Sequence, residues 1–99
     1  MATRHAWSVE DDLIGYYLFR FGDAGLGVTK EELADRLGMG WASMNQKIAN
    51  YKFLAGQPGL DHPSIQSRRI FDRYKDMPDD QFRIIGQKTI AKALANQAK

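Results

Sequence analysis

The chain has 99 residues, 43% of them hydrophobic and 26% charged, which is the composition of one globular domain rather than a disordered segment. It has no cysteine, so a disulfide framework and a thiolate metal site are excluded. No stretch is long and apolar enough to span a bilayer, and the first residues lack a hydrophobic signal core; the expected setting is soluble and cytoplasmic. The net charge of +2 is unevenly placed: residues 1–40 carry −3, residues 41–75 carry +4 and residues 76–99 carry +1. Phosphate contacts supply most sequence-independent affinity for nucleic acid, so this placement matters more than the total.

Residues 1–6 read as a flexible lead, and Trp7 begins the ordered part. Ser8 and Asp11 form a capping box, and Glu10, Asp11 and Asp12 complement the dipole of the helix that follows. Leu13, Ile14, Tyr17, Leu18 and Phe21 make one apolar stripe, with Tyr16 and Phe19 off it. Carboxylates in such a cluster can also serve acid–base chemistry, but capping suffices to explain them. Three glycines between Gly22 and Gly27 end this helix. The loop superficially resembles a phosphate-binding loop, but it follows no strand and lacks the Gly-Lys-Ser/Thr that would complete one.

Thr29 and Glu32 form a second capping box, predicting a helix from Lys30 with Leu33, Ala34 and Leu37 on its inner face. Gly38 supplies the left-handed C-terminal cap. Gly40 opens a third helix whose inner face holds Met44 and Ile48. Two short helices joined by a tight glycine-containing turn make a helix-turn-helix, with a recognition helix over about 41–52. The outer side of that helix carries the functional expectation. Trp41, Ser43, Asn45, Gln46, Lys47, Asn50 and Lys52 are the candidate DNA-binding residues there. Asn and Gln amides match adenine N6 and N7, Ser donates and accepts, and Lys reaches phosphate or guanine. No carboxylate lies between Arg36 and Leu60 to repel phosphate. The alternative is a protein-interaction surface centred on Trp41, since a large aromatic at the head of the helix suits a protein hot spot.

Residues 54–63 read as loop, punctuated by Gly56, Pro58, Gly59 and Pro63, with Leu54 and Leu60 as apolar anchors. The segment is too poor in β-branched residues for a winged-helix hairpin. Ser64 caps a fourth helix over about 65–75, with Ile65, Ile70, Phe71 and Tyr74 inside. Arg68 and Arg69 on this basic helix complete the candidate DNA-contact set. Pro78 suits the first turn of a fifth helix, whose Gly86 weakens its middle by roughly 1 kcal/mol relative to Ala. The apolar residues of this helix exceed what one small domain covers, which leaves a homodimer through it open. Residues 96–99 are expected to be flexible. His62 beside Asp61 has no second ligand at a useful spacing. No metal, no cofactor and no nucleophile–base set is expected, and hence no enzyme.

The residues Ala34-Asp35-Arg36-Leu37-Gly38, Ser43-Met44 and Lys47-Ile48 look like the helix-turn-helix superfamily. The longer run Leu37-Gly38, Ser43 to Tyr51, Leu54 and Gly59-Leu60 resembles the helical domain that precedes the nuclease module of some bacterial HNH restriction endonucleases. There a Leu-Gly-Arg turn, a Ser-Val-x-x-Lys-Leu-x-Asn-Phe helix and a Gly-Leu loop recur in that order. The likeness runs from about Trp7 to Tyr74. It departs at the turn, where Met39-Gly40-Trp41 replaces a more polar one; these 99 residues hold no nuclease module, and nuclease activity is not expected to carry over. The expectation is therefore an all-α domain over residues 7–95, a bundle of about five helices containing a helix-turn-helix and no substantial wing. Helices one to three should enclose Leu13, Ile14, Tyr17, Leu18, Leu33, Leu37, Met44 and Ile48, with helices four and five packed outside. Double-stranded DNA is the expected partner, as for a small bacterial or phage transcription regulator or a free-standing recognition domain, with a protein partner as the alternative.

Overall fold

The computed structural model describes residues 6–97. They form five helices, α1 (Val9–Phe21), α2 (Lys30–Arg36), α3 (Gly40–Leu54), α4 (Ile65–Tyr74) and α5 (Asp79–Gln97), with no strand among them. The expected lead up to residue 5 and residues 98 and 99 lie outside the described residues, while α5 stays helical through Gln97. No helix among the described residues is long and apolar enough to cross a membrane.

Local chemistry sets most of the boundaries. Ser8 Oγ accepts from the Asp11 amide at 3.0 Å, and Asp11 returns the bond to the Ser8 amide at 3.3 Å, closing the predicted box. At α2 only half of the predicted box forms. Thr29 Oγ1 accepts from the Glu32 amide, but Glu32 pairs with Arg36 at 3.7 Å instead of returning. Asp23, from the glycine-rich connector, accepts from the next amide, that of Lys30, at 2.7 Å. Helix α2 ends in a Schellman turn: the Gly38 amide bonds the Asp35 carbonyl and the Met39 amide bonds that of Ala34. Gly38 sits at φ 86°, the left-handed conformation such a turn needs. Pro78 lies just before α5, where its carbonyl accepts from the Gln81 and Phe82 amides, rather than inside the first turn.

Helix α1 is the hub. It packs against α3, α4 and α5, whereas α2 packs mainly on α3. Residues 12–18 of α1 are all buried, the mark of a helix enclosed on every side. All eight residues expected in the core of the first three helices are buried. Tyr16 is a correction: expected off the apolar stripe, it is 2% exposed. Its ring lies 5.1 Å from both Tyr51 and Phe82 and edge-on to Phe71 at 6.1 Å. The second face of α1 is buried because α4 and α5 close over it, which a single-stripe reading does not anticipate. Arg20 holds that corner, bonding Asp79 at 2.8 Å and the carbonyls of Tyr74 and Met77, with its guanidinium 5.2 Å from the Phe82 ring.

Helix α5 differs from expectation twice. Gly86 is buried, and a Cβ there would run into the Tyr17 ring, so the glycine permits close packing of α5 on α1 instead of merely weakening the helix. Phe82 and Ile90 are buried, and Ile85 and Leu94 pack on the core. Ile84 remains the exposed large apolar residue of this helix.

Candidate nucleic-acid interface

Helix α3 presents two different rows of polar residues. At 100° per residue, Met44, Lys47, Ile48 and Tyr51 share one face, and all four are buried. Lys47 therefore leaves the candidate DNA set: it is 8% exposed. Its Nζ lies 3.4 Å from Asp12 Oδ2, donates to Ser67 Oγ at 2.9 Å, and sits 4.7 Å from the Trp7 ring. Gly15 makes room for its aliphatic stem, since a Cβ there would lie 2.8 Å from Lys47 Cγ.

Asp12 is the centre of this buried assembly, with no exposed surface. Its carboxylate accepts from Lys47, from the Ser67 hydroxyl at 2.9 Å, from Gln66 Nε2 at 2.9 Å and from the Tyr51 hydroxyl. Residues from α1, α3 and α4 thus meet on one anion. A carboxylate offers about four acceptor positions, and here they meet four donors. Burial pushes the Tyr51 hydroxyl well above the ordinary tyrosine range, and the neighbouring Asp12 charge raises it further. Asp12, Lys47, Ser67 and Tyr51 are buried, so the assembly acts as a three-helix clamp. Asp12, expected to complement the dipole of α1, instead lies in the core.

Asn50 is also engaged. Its Nδ2 donates to the carbonyl of Leu60 at 2.8 Å, while the Leu60 amide bonds the Ala49 carbonyl at 3.0 Å. Gly59 lies so close that a Cβ would come within 2.7 Å of the Phe53 amide nitrogen. The connection of residues 55–64 is thus laid against the second half of α3, occupying part of the face expected to meet DNA. Leu60 is held there by its backbone, its side chain being 44% exposed.

The open portion of α3 is its first two turns. Ala42, Asn45 and Gln46 are exposed, and Ser43 is half-buried. Trp41 is half-buried against the core, with the Lys30 ammonium 5.6 Å from its ring. Lys52 is exposed, and its position seven residues after Asn45 puts the two on one side of the helix, about 10 Å apart along the axis. Arg68 and Arg69 are both exposed on α4 but point about 100° apart; Arg69 lines a groove between α4 and α1.

The residues missed from sequence had a signal. Met44, Lys47, Ile48 and Tyr51 repeat the spacing of Ser67, Ile70, Phe71 and Tyr74. In each set one polar residue occupies an inner position of an i, i+3, i+4, i+7 pattern. A lysine and a serine at such positions call for a buried acid between them. Asp12, Tyr16 and Phe19 likewise share a face of α1. Within the run Leu37-Gly38, Ser43 to Tyr51, Leu54 and Gly59-Leu60, the residues Lys47 and Tyr51 build the clamp, and Asn50, Gly59 and Leu60 dock the loop. No protein-family model, curated protein or solved structure matches this chain.

Proposed function

We propose that this domain binds duplex DNA as a helix-turn-helix module in a cytoplasmic setting, with the first two turns of α3 in the major groove. The observation that carries this reading is the pair Asn45 and Gln46. Both amides are exposed and make no hydrogen bond within the described residues. They stand near the N-terminal end of a helix that α1 and α2 hold in place, where recognition helices approach base edges. Lys52 is placed to meet a phosphate beyond Asn45, and Arg68 supplies a second phosphate contact from α4. The absence of any carboxylate from residue 37 to 59 keeps this face free of repulsion. A small regulator and a recognition domain of the nuclease-associated type both fit.

The test is selection from a randomised duplex pool followed by titration. Asn45→Ala and Gln46→Ala are expected to relax preference at one or two A·T pairs, by about 1–3 kcal/mol per lost pair. Lys52→Ala and Arg68→Ala should weaken all sequences alike and each lower the salt-dependence slope by about 1. A pool that returns no enriched sequence, with salt slopes unchanged in both cation variants, would remove DNA as the partner.

A further inference from the structure

A second surface lies between α1 and α4. Val9 and Leu13 of α1 and Ile65, Gln66, Arg69, Ile70, Arg73 and Tyr74 of α4 line a groove of about 460 Å³. Its floor is apolar. Two of the most exposed large apolar side chains of the chain, Val9 at 58% and Ile65 at 70%, stand on its walls. Arg69 and Arg73 are exposed along the same stripe of α4 as Ile65, each four residues from the next. Neither forms an ion pair with a described residue, although the Arg73 guanidinium lies 5.6 Å from the Tyr74 ring. No carboxylate lines the groove.

We infer that this groove docks an acidic amphipathic helix of a partner protein. Its apolar floor takes leucine-like side chains, and its two unpaired guanidiniums take carboxylates, which arginine binds in paired hydrogen bonds. The lining runs from Ile65 to Tyr74, about 13 Å of helix rise. That is two to three turns, the length over which a helix in a groove sets anchors at i, i+4 and i+7. DNA is disfavoured here because phosphates would run past Val9 and Ile65 and leave them unburied. This inference is independent of the DNA face on α3, and Asn45→Ala serves as its control.

Two labelled helix-forming peptides would be titrated against the full chain by fluorescence anisotropy. Both carry leucines at i, i+4 and i+7, one with glutamates flanking them and the other with lysines. The glutamate peptide is expected to bind at least about tenfold more tightly. The double variant Arg69→Glu, Arg73→Glu should lose that binding and accept the lysine peptide instead, with its circular dichroism melt unchanged, and Asn45→Ala should bind as wild type. Ile65→Asp, at an exposed position, should weaken the glutamate peptide without unfolding. Equal affinity for the two peptides would overturn the inference. So would self-association that Ile65→Asp abolishes, anionic-vesicle binding in place of peptide binding, or an arginine double variant that loses duplex DNA while the glutamate peptide binds neither protein.

Discussion

Gln46 and Lys47 are neighbours in sequence and point about 100° apart on α3, which is enough to put one outside and the other inside. Lys47 is buried among Asp12, Ser67 and Trp7, whereas Gln46 is exposed and without a partner among the described residues. The inward row holds three helices together through one saturated carboxylate; the amides of Asn45 and Gln46, on the outer side, make no hydrogen bond with a described residue. Polarity alone does not assign a residue to a surface. Its place in the apolar periodicity of its helix does.

The largest effect expected on the inward row is from Asp12→Ala. It would leave Lys47 buried without its counter-charge and remove the carboxylate to which Ser67 and Tyr51 donate, while Gln66 keeps the Trp7 and Ser8 carbonyls. Removing one member of a buried pair costs about 3–5 kcal/mol, a large part of the stability of a small domain. Urea unfolding would show the midpoint falling accordingly.

Tyr51 sharpens the same comparison through pH. Its folded-state hydroxyl titrates above its ordinary value, which is about 10 when the chain is unfolded. The neutral form is thus favoured by folding. Stability is complete below about pH 10 and falls as pH rises above it, because the unfolded chain loses the proton first. Tyr51→Phe should cost about 1.5–3 kcal/mol at neutral pH, the range for a hydrogen bond to a charged group. It should also flatten the alkaline decline, leaving the smaller part due to Tyr16, which is raised mainly by burial. Melts between pH 8 and 11 would measure both.

Gly86→Ala extends the comparison to α5. At an exposed helical position this change stabilises by nearly 1 kcal/mol. Against the Tyr17 ring it should instead destabilise, by about 1–3 kcal/mol, the usual range for overpacking. Thermal melts of Gly86→Ala therefore report directly whether α5 seats on α1 as described.

Much of the fold was legible because it is written in local chemistry. The Ser8, Thr29 and Ser64 caps, the Gly38 turn, and the spacing of Leu33, Leu37, Met44 and Ile48 all appear as expected. What was not legible depends on contacts between distant segments. Tyr16 is buried by α4 and α5, Asp12 by residues more than thirty positions away, and Gly86 is required by a ring on another helix. Of the nine nominated interface residues, Lys47 and Asn50 are committed to the fold, and Trp41 packs on the core. Their types suit DNA contact, but the same donors also satisfy buried acceptors, and residue type does not distinguish these uses. Asn45, Gln46, Lys52, Arg68 and Arg69 are exposed as expected, although Arg69 borders a different surface.

The division of α3 into a structural and a free face is tested most directly by two adjacent substitutions, Lys47→Met and Gln46→Ala, compared in one thermal-melt experiment. Lys47→Met breaks a buried pair at a cost of about 3 kcal/mol, which in a domain of this size lowers Tm by more than about 10 °C. Gln46→Ala changes an exposed residue and should keep Tm within about 2 °C of wild type. A Lys47→Met melt as stable as wild type, or a Gln46→Ala melt lowered as much as that of Lys47→Met, would contradict the account.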